Sequence, residues 1–251
     1  MKPSFDLSGR TAIVTGANTG IGQAIAVALG AAGAAVLGVG RSSMNETEAL
    51  IAAEGGRFAS FSADLSTIEP VQDIVDAAVS AFGSVDILVN NAGIIRRADA
   101  IDFTEADWDA VMDVNLKTAF FLSQAAARRM IPGGRGKIIN IASMLSFQGG
   151  IRIPSYTASK SGLAGLTRLL ACEWAGKGIN VNAIAPGYFV TNNTTALRED
   201  PKRSSDILAR IPAGRWGNPE ELGGAAVFLA SNASDYVHGT ILPVDGGWLA
   251  R

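Results

Sequence analysis

Tyr156 and Lys160 lie four residues apart in Ser155-Tyr-Thr-Ala-Ser-Lys160, and Ser143 precedes the tyrosine by thirteen residues. A phenol has an ordinary pKa of about 10, so it moves protons near neutral pH only with help. A lysine one helical turn away lies on the same helix face. Its positive charge favours the phenolate and lowers the phenol's pKa. A serine hydroxyl beside the phenol can hold a substrate oxygen. Together these residue types suit general acid/base work on a carbonyl/alcohol pair. Taken alone, Tyr-x-x-x-Lys usually marks an exposed helical pair, so the rest of the chain has to decide.

The elements that must position these groups alternate. Thr11–Thr15, Ala35–Val39, Arg57–Ser62, Asp86–Asn90, Lys137–Ile141, Asn180–Ile184 and Ile241–Val244 read as short, mostly apolar strands. Gly20–Ala32, Thr47–Glu54, Val71–Phe82, Glu105–Ile131, Tyr156–Gly176 and Pro219–Ala230 read as helices. Regular β-α alternation with apolar strands predicts a parallel sheet covered by helices on both faces. Ala12-Ile-Val-Thr15 then runs into Gly16-Ala-Asn-Thr-Gly20-Ile-Gly22 and an apolar helix. Gly16 permits a tight turn, Gly20 a close approach of backbone to a pyrophosphate, and Gly22 close packing of helix on sheet. The helix N-terminus offers free N–H groups and positive dipole to phosphate. In the first β-α unit of such a pattern, this turn predicts a dinucleotide site. The fold expected is α/β: a single doubly wound Rossmann domain over residues 1–251, with a mainly parallel seven-stranded sheet. The polar stretch 188–215 reads either as a substrate lid or as an ordinary helical surface excursion.

Composition narrows the function classes. The chain has 251 residues and a net charge of −2, with its Lys and Arg scattered, so no nucleic-acid footprint is expected. No apolar run reaches the roughly 18 residues of a membrane span, and Met1–Arg10 lacks a signal-peptide core. A cytoplasmic protein without membrane association is the expectation. Cys172 is the one cysteine and reads as a small buried core residue. With one His and one Cys, a His/Cys metal site is not expected.

Thr15-Gly-x-x-x-Gly-Ile-Gly22, Asn90-Asn-Ala-Gly93, Asn115, Ser143, Tyr156-x-x-x-Lys160 and Pro186-Gly187 follow one another in the order found in short-chain dehydrogenase/reductases. The chain resembles that family over essentially its whole length. A finer resemblance rests on Ile94-Ile-Arg-Arg97, the run Ile141–Tyr156, Ala185-Pro-Gly-Tyr188, Arg210–Gly217 and Asp245–Arg251. These are similar to the group of 2-deoxy-D-gluconate 3-dehydrogenases and 2-dehydro-3-deoxy-D-gluconate 5-dehydrogenases.

The resemblance implies roles. Tyr156 is the general acid/base, Lys160 lowers its pKa and bonds the nicotinamide ribose, and Ser143 orients the substrate oxygen. Asn115 holds a water linking Lys160 to solvent; an asparagine inside a helix is otherwise unfavourable. Gly16, Asn18, Thr19, Gly20, Ile21 and Gly22 form the phosphate turn. Asn91 and Gly93 line the cofactor, Asp64 and Leu65 contact adenine, and Pro186, Gly187 and Thr191 face the carboxamide. At the end of the second strand Gly40 replaces the acid usual in NAD-specific folds, and Arg41 is suited to a 2′-phosphate or to stacking on adenine. The subgroup points to NAD, and the local chemistry tolerates NADP.

An anionic sugar-acid substrate would suit the planar fork of arginine. Arg96 and Arg97 follow the fourth-strand motif, Arg152 precedes Tyr156, and Gln148 can bond a hydroxyl. Met144, Leu145 and Phe147 offer an apolar wall, which keeps a 3-ketoacyl or polyol reductase open beside a gluconate 5-dehydrogenase. A non-catalytic cofactor-binding scaffold would not need Asn115, Ser143, Tyr156 and Lys160 together. The family resemblance further implies a homotetramer, with a tail, Trp248–Arg251, placed to reach a neighbouring site.

Overall fold

The computed structural model describes residues 4–251. Its strands are β1 (Thr11–Thr15), β2 (Ala35–Gly40), β3 (Arg57–Ser62), β4 (Ile87–Asn90), β5 (Gly136–Ile141), β6 (Ile179–Pro186) and β7 (Ile241–Val244). They form one sheet in the order β3-β2-β1-β4-β5-β6-β7, with every neighbouring pair parallel. Every residue of β1, β2, β4, β5 and β6 is buried, whereas the edge strands β3 and β7 are partly open. That is the pattern of a sheet covered on both faces.

The helices are α1 (Gly20–Ala31), α2 (Asn45–Ala53), α3 (Val71–Phe82), α4 (Glu105–Met112), α5 (Thr118–Met130), α6 (Pro154–Trp174), α7 (Thr195–Glu199), α8 (Pro201–Leu208) and α9 (Gly223–Ala230). On one face Ile74 and Val75 of α3, Leu122 and Ala126 of α5, and Leu170 and Trp174 of α6 pack on Ile13, Leu88 and Ile138. On the other, Ile25 and Leu29 of α1 and Ala226 and Leu229 of α9 pack on Val14, Val36 and Ile139. β1 therefore has β2 on one side and β4 on the other, and the chain's winding reverses there. In open α/β sheets the ligand crevice lies outside the strand ends at that reversal.

Two sequence expectations need correction. The segment 105–131 is not one regular helix: α4 and α5 are joined by a π-helical turn, Asp113–Lys117. Cys172 is exposed, because α6 turns Leu170, Ala171 and Trp174 inward and leaves Leu169 (47% exposed) and Cys172 on its outer side. The stretch 188–215 is helical in part: a turn Asn192–Thr194 closed by a capping box of Thr191 and Thr194 leads into α7, and Asp200 caps α8 by accepting from Lys202 and Arg203 N–H. Among the described residues no helix is long and apolar enough to cross a membrane.

Candidate active site

A cleft of about 360 Å³ opens at the carboxyl ends of β1, β4, β5 and β6. Its floor is the Gly16–Gly22 turn. Gly16 and Gly20 adopt positive φ (66° and 57°), a region that side chains disfavour. A Cβ on Gly22 would overlap the Gly16 carbonyl oxygen, and one on Gly16 would come within 2.8 Å of Asn91 Nδ2. Thr19, the residue before α1, provides no side-chain cap, so the first N–H groups of the helix are left to a ligand. Asn18, Thr19, Gly20 and Ile21 all line the cleft. This cradle fits the pyrophosphate of a dinucleotide, because its walls are backbone that any side chain would fill.

The turn is tied to β4 by side chains. The Thr15 hydroxyl accepts from the N–H groups of Asn91 and Ala92 at 3.0 and 2.9 Å. Asn91 Nδ2 donates to the Thr15 carbonyl at 2.8 Å. Asn91 and Gly93 thus stand on the cleft wall opposite the glycines.

β5 delivers Ser143 and α6 delivers Tyr156 and Lys160. Pro154 occupies the first turn of α6, where its missing N–H is no loss. Two other serines brace this arrangement: Ser146 Oγ donates to the Lys160 carbonyl at 2.7 Å, and Ser161 Oγ to the Leu145 carbonyl at 3.1 Å. The Ser143 hydroxyl lies close enough to Tyr156 to lower its phenol and accepts from Leu145 N–H at 3.2 Å. Burial pushes the Tyr156 phenol above its ordinary value; the Ser143 hydroxyl and the Arg97 guanidinium pull it down without reversing the shift. Lys160 is 4% exposed, and burial lowers its ammonium from 10.5 to about 8. Its Nζ donates to the Ile141 carbonyl at 2.6 Å and lies 5.6 Å from the centre of the Tyr156 ring. The sequence reading has Lys160 lowering the phenol. Here its ammonium is engaged by β5, and the net shift of Tyr156 is upward.

Asn115 sits inside the π-turn and is 1% exposed. Its Oδ1 accepts from Ile94 N–H at 2.8 Å, and its Nδ2 donates to the Ile94 carbonyl at 3.0 Å and to Ser159 Oγ at 3.3 Å. One side chain therefore joins the loop after β4 to the helix carrying Tyr156. π-turns concentrate at functional sites because the extra residue re-aims the helix face.

Pro186, Gly187 and Thr191 line the cleft, and Thr191 stands over Gly20, its methyl 3.7 Å from a Cβ built there. The outlying residues are less convergent. Asp64 is exposed and caps Ser66 N–H at 3.0 Å, while the Leu65 side chain is buried and its carbonyl accepts from Thr118. Arg41 is exposed near Asp64. Gly40 leaves room for the Asn18 amide, which reaches across to Ser42 Oγ at 2.8 Å.

Of the three arginines, none lines the cleft; Arg96 pairs with Asp107 at 3.2 Å and Arg152 with Asp99 at 3.1 Å. Arg97 is close enough to Tyr156 to act on its charge, and its Nη2 donates to the Asn193 carbonyl at 3.2 Å. Gln148 Oε1 accepts from Trp248 Nε1 at 3.2 Å. Trp248 is buried against its own chain, so the tail needs no neighbour to cover it. Phe189 and Asn192–Thr194 also line the cleft. Their polar, proline-free run gives no motif by which the sequence could mark them.

A family model described as Enoyl-(Acyl carrier protein) reductase matches residues 16–249. The 2-dehydro-3-deoxy-D-gluconate 5-dehydrogenase of Dickeya dadantii is 61% identical over 99% of this chain and 98% of its own length. The enzyme of that name from Escherichia coli K12 is 59% identical with the same coverage. A crystal structure from Agrobacterium tumefaciens, provisionally assigned as a 2-deoxy-D-gluconate 3-dehydrogenase and holding NADP, is 61% identical. It covers 100% of both chains with a TM-score of 0.94. With this sheet order, this cleft and these relatives, the chain belongs to the short-chain dehydrogenase/reductase family.

Proposed function

We propose that the protein is an NAD(P)-dependent oxidoreductase that interconverts a ketone and a secondary alcohol on a deoxy sugar acid, of the 2-dehydro-3-deoxy-D-gluconate 5-dehydrogenase or 2-deoxy-D-gluconate 3-dehydrogenase type. The observation that carries the reading is the meeting of Ser143, Tyr156 and Lys160 in the cleft that the glycine turn floors. Relatives near 60% identity over almost the full length support the substrate class.

When bound, the nicotinamide group supplies the hydride exchange, and the protein positions and polarises. Gly16, Asn18, Thr19, Gly20, Ile21 and Gly22 hold the pyrophosphate at the start of α1. Asn91, Gly93, Pro186, Gly187 and Thr191 flank the nicotinamide end, with Asp64 and Leu65 toward adenine. Arg41 beside Gly40 admits a 2′-phosphate, so NADP is accepted as well as NAD; the NADP in the Agrobacterium structure supports this. Ser143 holds the substrate oxygen. The Tyr156 hydroxyl gives that oxygen a proton in reduction and takes one back in oxidation. Lys160 keeps a positive charge beside the phenol, and Asn115 holds the frame between them. Its side chain is engaged by Ile94 and Ser159, which leaves its backbone carbonyl for the water that links Lys160 to solvent.

Arg97, free of a carboxylate partner among the described residues and close enough to Tyr156 to act on its charge, is the arginine best suited to the substrate carboxylate, ahead of the paired Arg96 and Arg152. Residues 1–251 act as one domain, and 188–215 act as a strap over the substrate, latched by Arg97 on Asn193. The half-open Phe120 and Phe121 and the exposed Leu169 support assembly into a homotetramer through α5 and α6. A cytoplasmic location follows from dependence on the nicotinamide pool.

An acyl ketone is the second reading, favoured by the exposed Phe147 and by Met144 beside Ser143. Steady-state turnover with both cofactors, against 2-dehydro-3-deoxy-D-gluconate, 2-deoxy-D-gluconate, gluconate and an acyl ketone, separates the two. Preference for a deoxy sugar acid is expected. Preference for the acyl ketone would overturn the reading.

A further inference from the structure

The tail after β7 takes no part in the chemistry described, yet it is fixed from several sides. The Asp245 carboxylate accepts from the N–H groups of Gly247 and Leu249, each at 2.9 Å. Arg251 donates to the Ala209 carbonyl at 2.6 Å. Between these anchors Trp248 is 4% exposed and packs on Met144, Ile207 and Ile211. The Tyr188 ring meets it edge-on at 4.9 Å, and the Arg210 guanidinium covers it at 4.0 Å. Met144 is the residue after Ser143, and Tyr188 follows Gly187 of the cleft wall. The tail therefore braces the substrate end of the cleft.

The indole's single polar atom is directed at Gln148, 3.2 Å from Oε1. An indole N–H can only donate. The Gln148 atom facing it must then be the oxygen, so chemistry fixes an amide orientation that is otherwise a matter of assignment. The Gln148 NH₂ is left with two donors, and no hydrogen bond joins it to another described residue. Gln148 lies on the loop carrying Ser143, held to it by its own N–H on the Met144 carbonyl at 3.2 Å. A sugar acid presents carboxylate, keto and hydroxyl oxygens, all of them acceptors.

We propose that Trp248 is a positioning residue that holds Gln148 as an obligate hydrogen-bond donor to a substrate oxygen, so that the chain's own tail takes part in substrate selection. This rests on the sugar-acid reading above. The test is steady-state kinetics of Trp248→Phe, Gln148→Ala and their double variant with 2-dehydro-3-deoxy-D-gluconate at saturating cofactor. Phenylalanine keeps the packed ring and removes the N–H. Each single variant should raise KM about tenfold, with kcat changed less than about twofold. The double variant should be no worse than Gln148→Ala, because both remove one interaction. Gln148→Glu offers a route that spares the aromatic cluster: it still accepts from the indole but cannot donate, and its KM should rise further. Wild-type KM in Trp248→Phe or in Gln148→Glu, additive effects in the double variant, or a fall in kcat in place of a rise in KM would overturn the proposal. Failure of the sugar-acid reading would be visible separately, as absence of turnover by the unsubstituted protein in the same assay.

Discussion

The glycine cradle and the strap-and-tail region face each other across one cleft and are built in opposite ways. The cradle is backbone: Gly16, Gly20 and Gly22 matter for the side chains they lack, and Thr15 and Asn91 pin the turn to β4. The strap and tail are side chains: Tyr188, Trp216 and Trp248 stack edge to face, Arg210 covers the indole, and Arg97 reaches Asn193. A backbone site suits a ligand that is always the same, since it has one shape and few ways to vary. A side-chain site can be altered residue by residue without disturbing the sheet, which suits the part of the cleft that selects the substrate.

Substitutions on the two sides should therefore fail differently. The largest effect is expected in the cradle. Gly22→Val drives a side chain into the Gly16 carbonyl and should weaken dinucleotide binding about a hundredfold, as read by quenching of protein fluorescence on titration with NADH or NADPH. Wild-type affinity would show that the cradle tolerates side chains. Across the cleft, Arg97→Met should raise KM for the sugar acid about tenfold and leave dinucleotide affinity nearly intact. Losing this cation also removes one of the two influences that pull the Tyr156 phenol down. The rising limb of the kcat–pH profile for alcohol oxidation should then move to higher pH. An equal loss of dinucleotide affinity would break the division between the two sides.

The smallest effect is on stability. Burial holds the Lys160 ammonium at about 8, against an ordinary 10.5. Below pH 8 the lysine is charged folded and unfolded, and the cost of burying the charge is fully present. Above it, the folded protein has released a proton that the unfolded chain still binds, so this group adds stability as pH rises toward 10. Beyond about pH 10 the raised Tyr156 acts in the opposite sense, because the unfolded phenol ionises first. Urea unfolding between about pH 7.5 and 9.5 should show a rising slope that Lys160→Met removes. An identical slope in the variant would mean that the folded lysine keeps its proton throughout this range, so that burial does not depress it.

The same division explains what the sequence discloses. The seven strands, the doubly wound parallel sheet and the positions of Ser143, Tyr156 and Lys160 were legible, because glycine spacing and apolar runs record backbone geometry directly; the order of the strands comes from the structure. Asn115 was legible as an anomaly, a polar residue inside a helix, but the π-turn that accommodates it was not, since no residue pattern distinguishes it from α. Arg96, Arg97 and Arg152 were indistinguishable in the sequence. Their separation comes from Asp107 and Asp99, whose approach depends on tertiary packing. Cys172 misled for a related reason: the run Leu169-Leu170-Ala171 is apolar throughout, yet only part of it faces the sheet. The bond from Trp248 to Gln148 spans one hundred residues and leaves no local trace.

The central claim is that one phenol carries the proton while the cradle independently holds the dinucleotide. Tyr156→Phe, measured for NADH or NADPH affinity and for turnover of 2-dehydro-3-deoxy-D-gluconate in the same preparation, tests it most directly. The account predicts affinity within about threefold of the unsubstituted protein and a fall in kcat of about 10²- to 10⁴-fold. Turnover retained in Tyr156→Phe would contradict it.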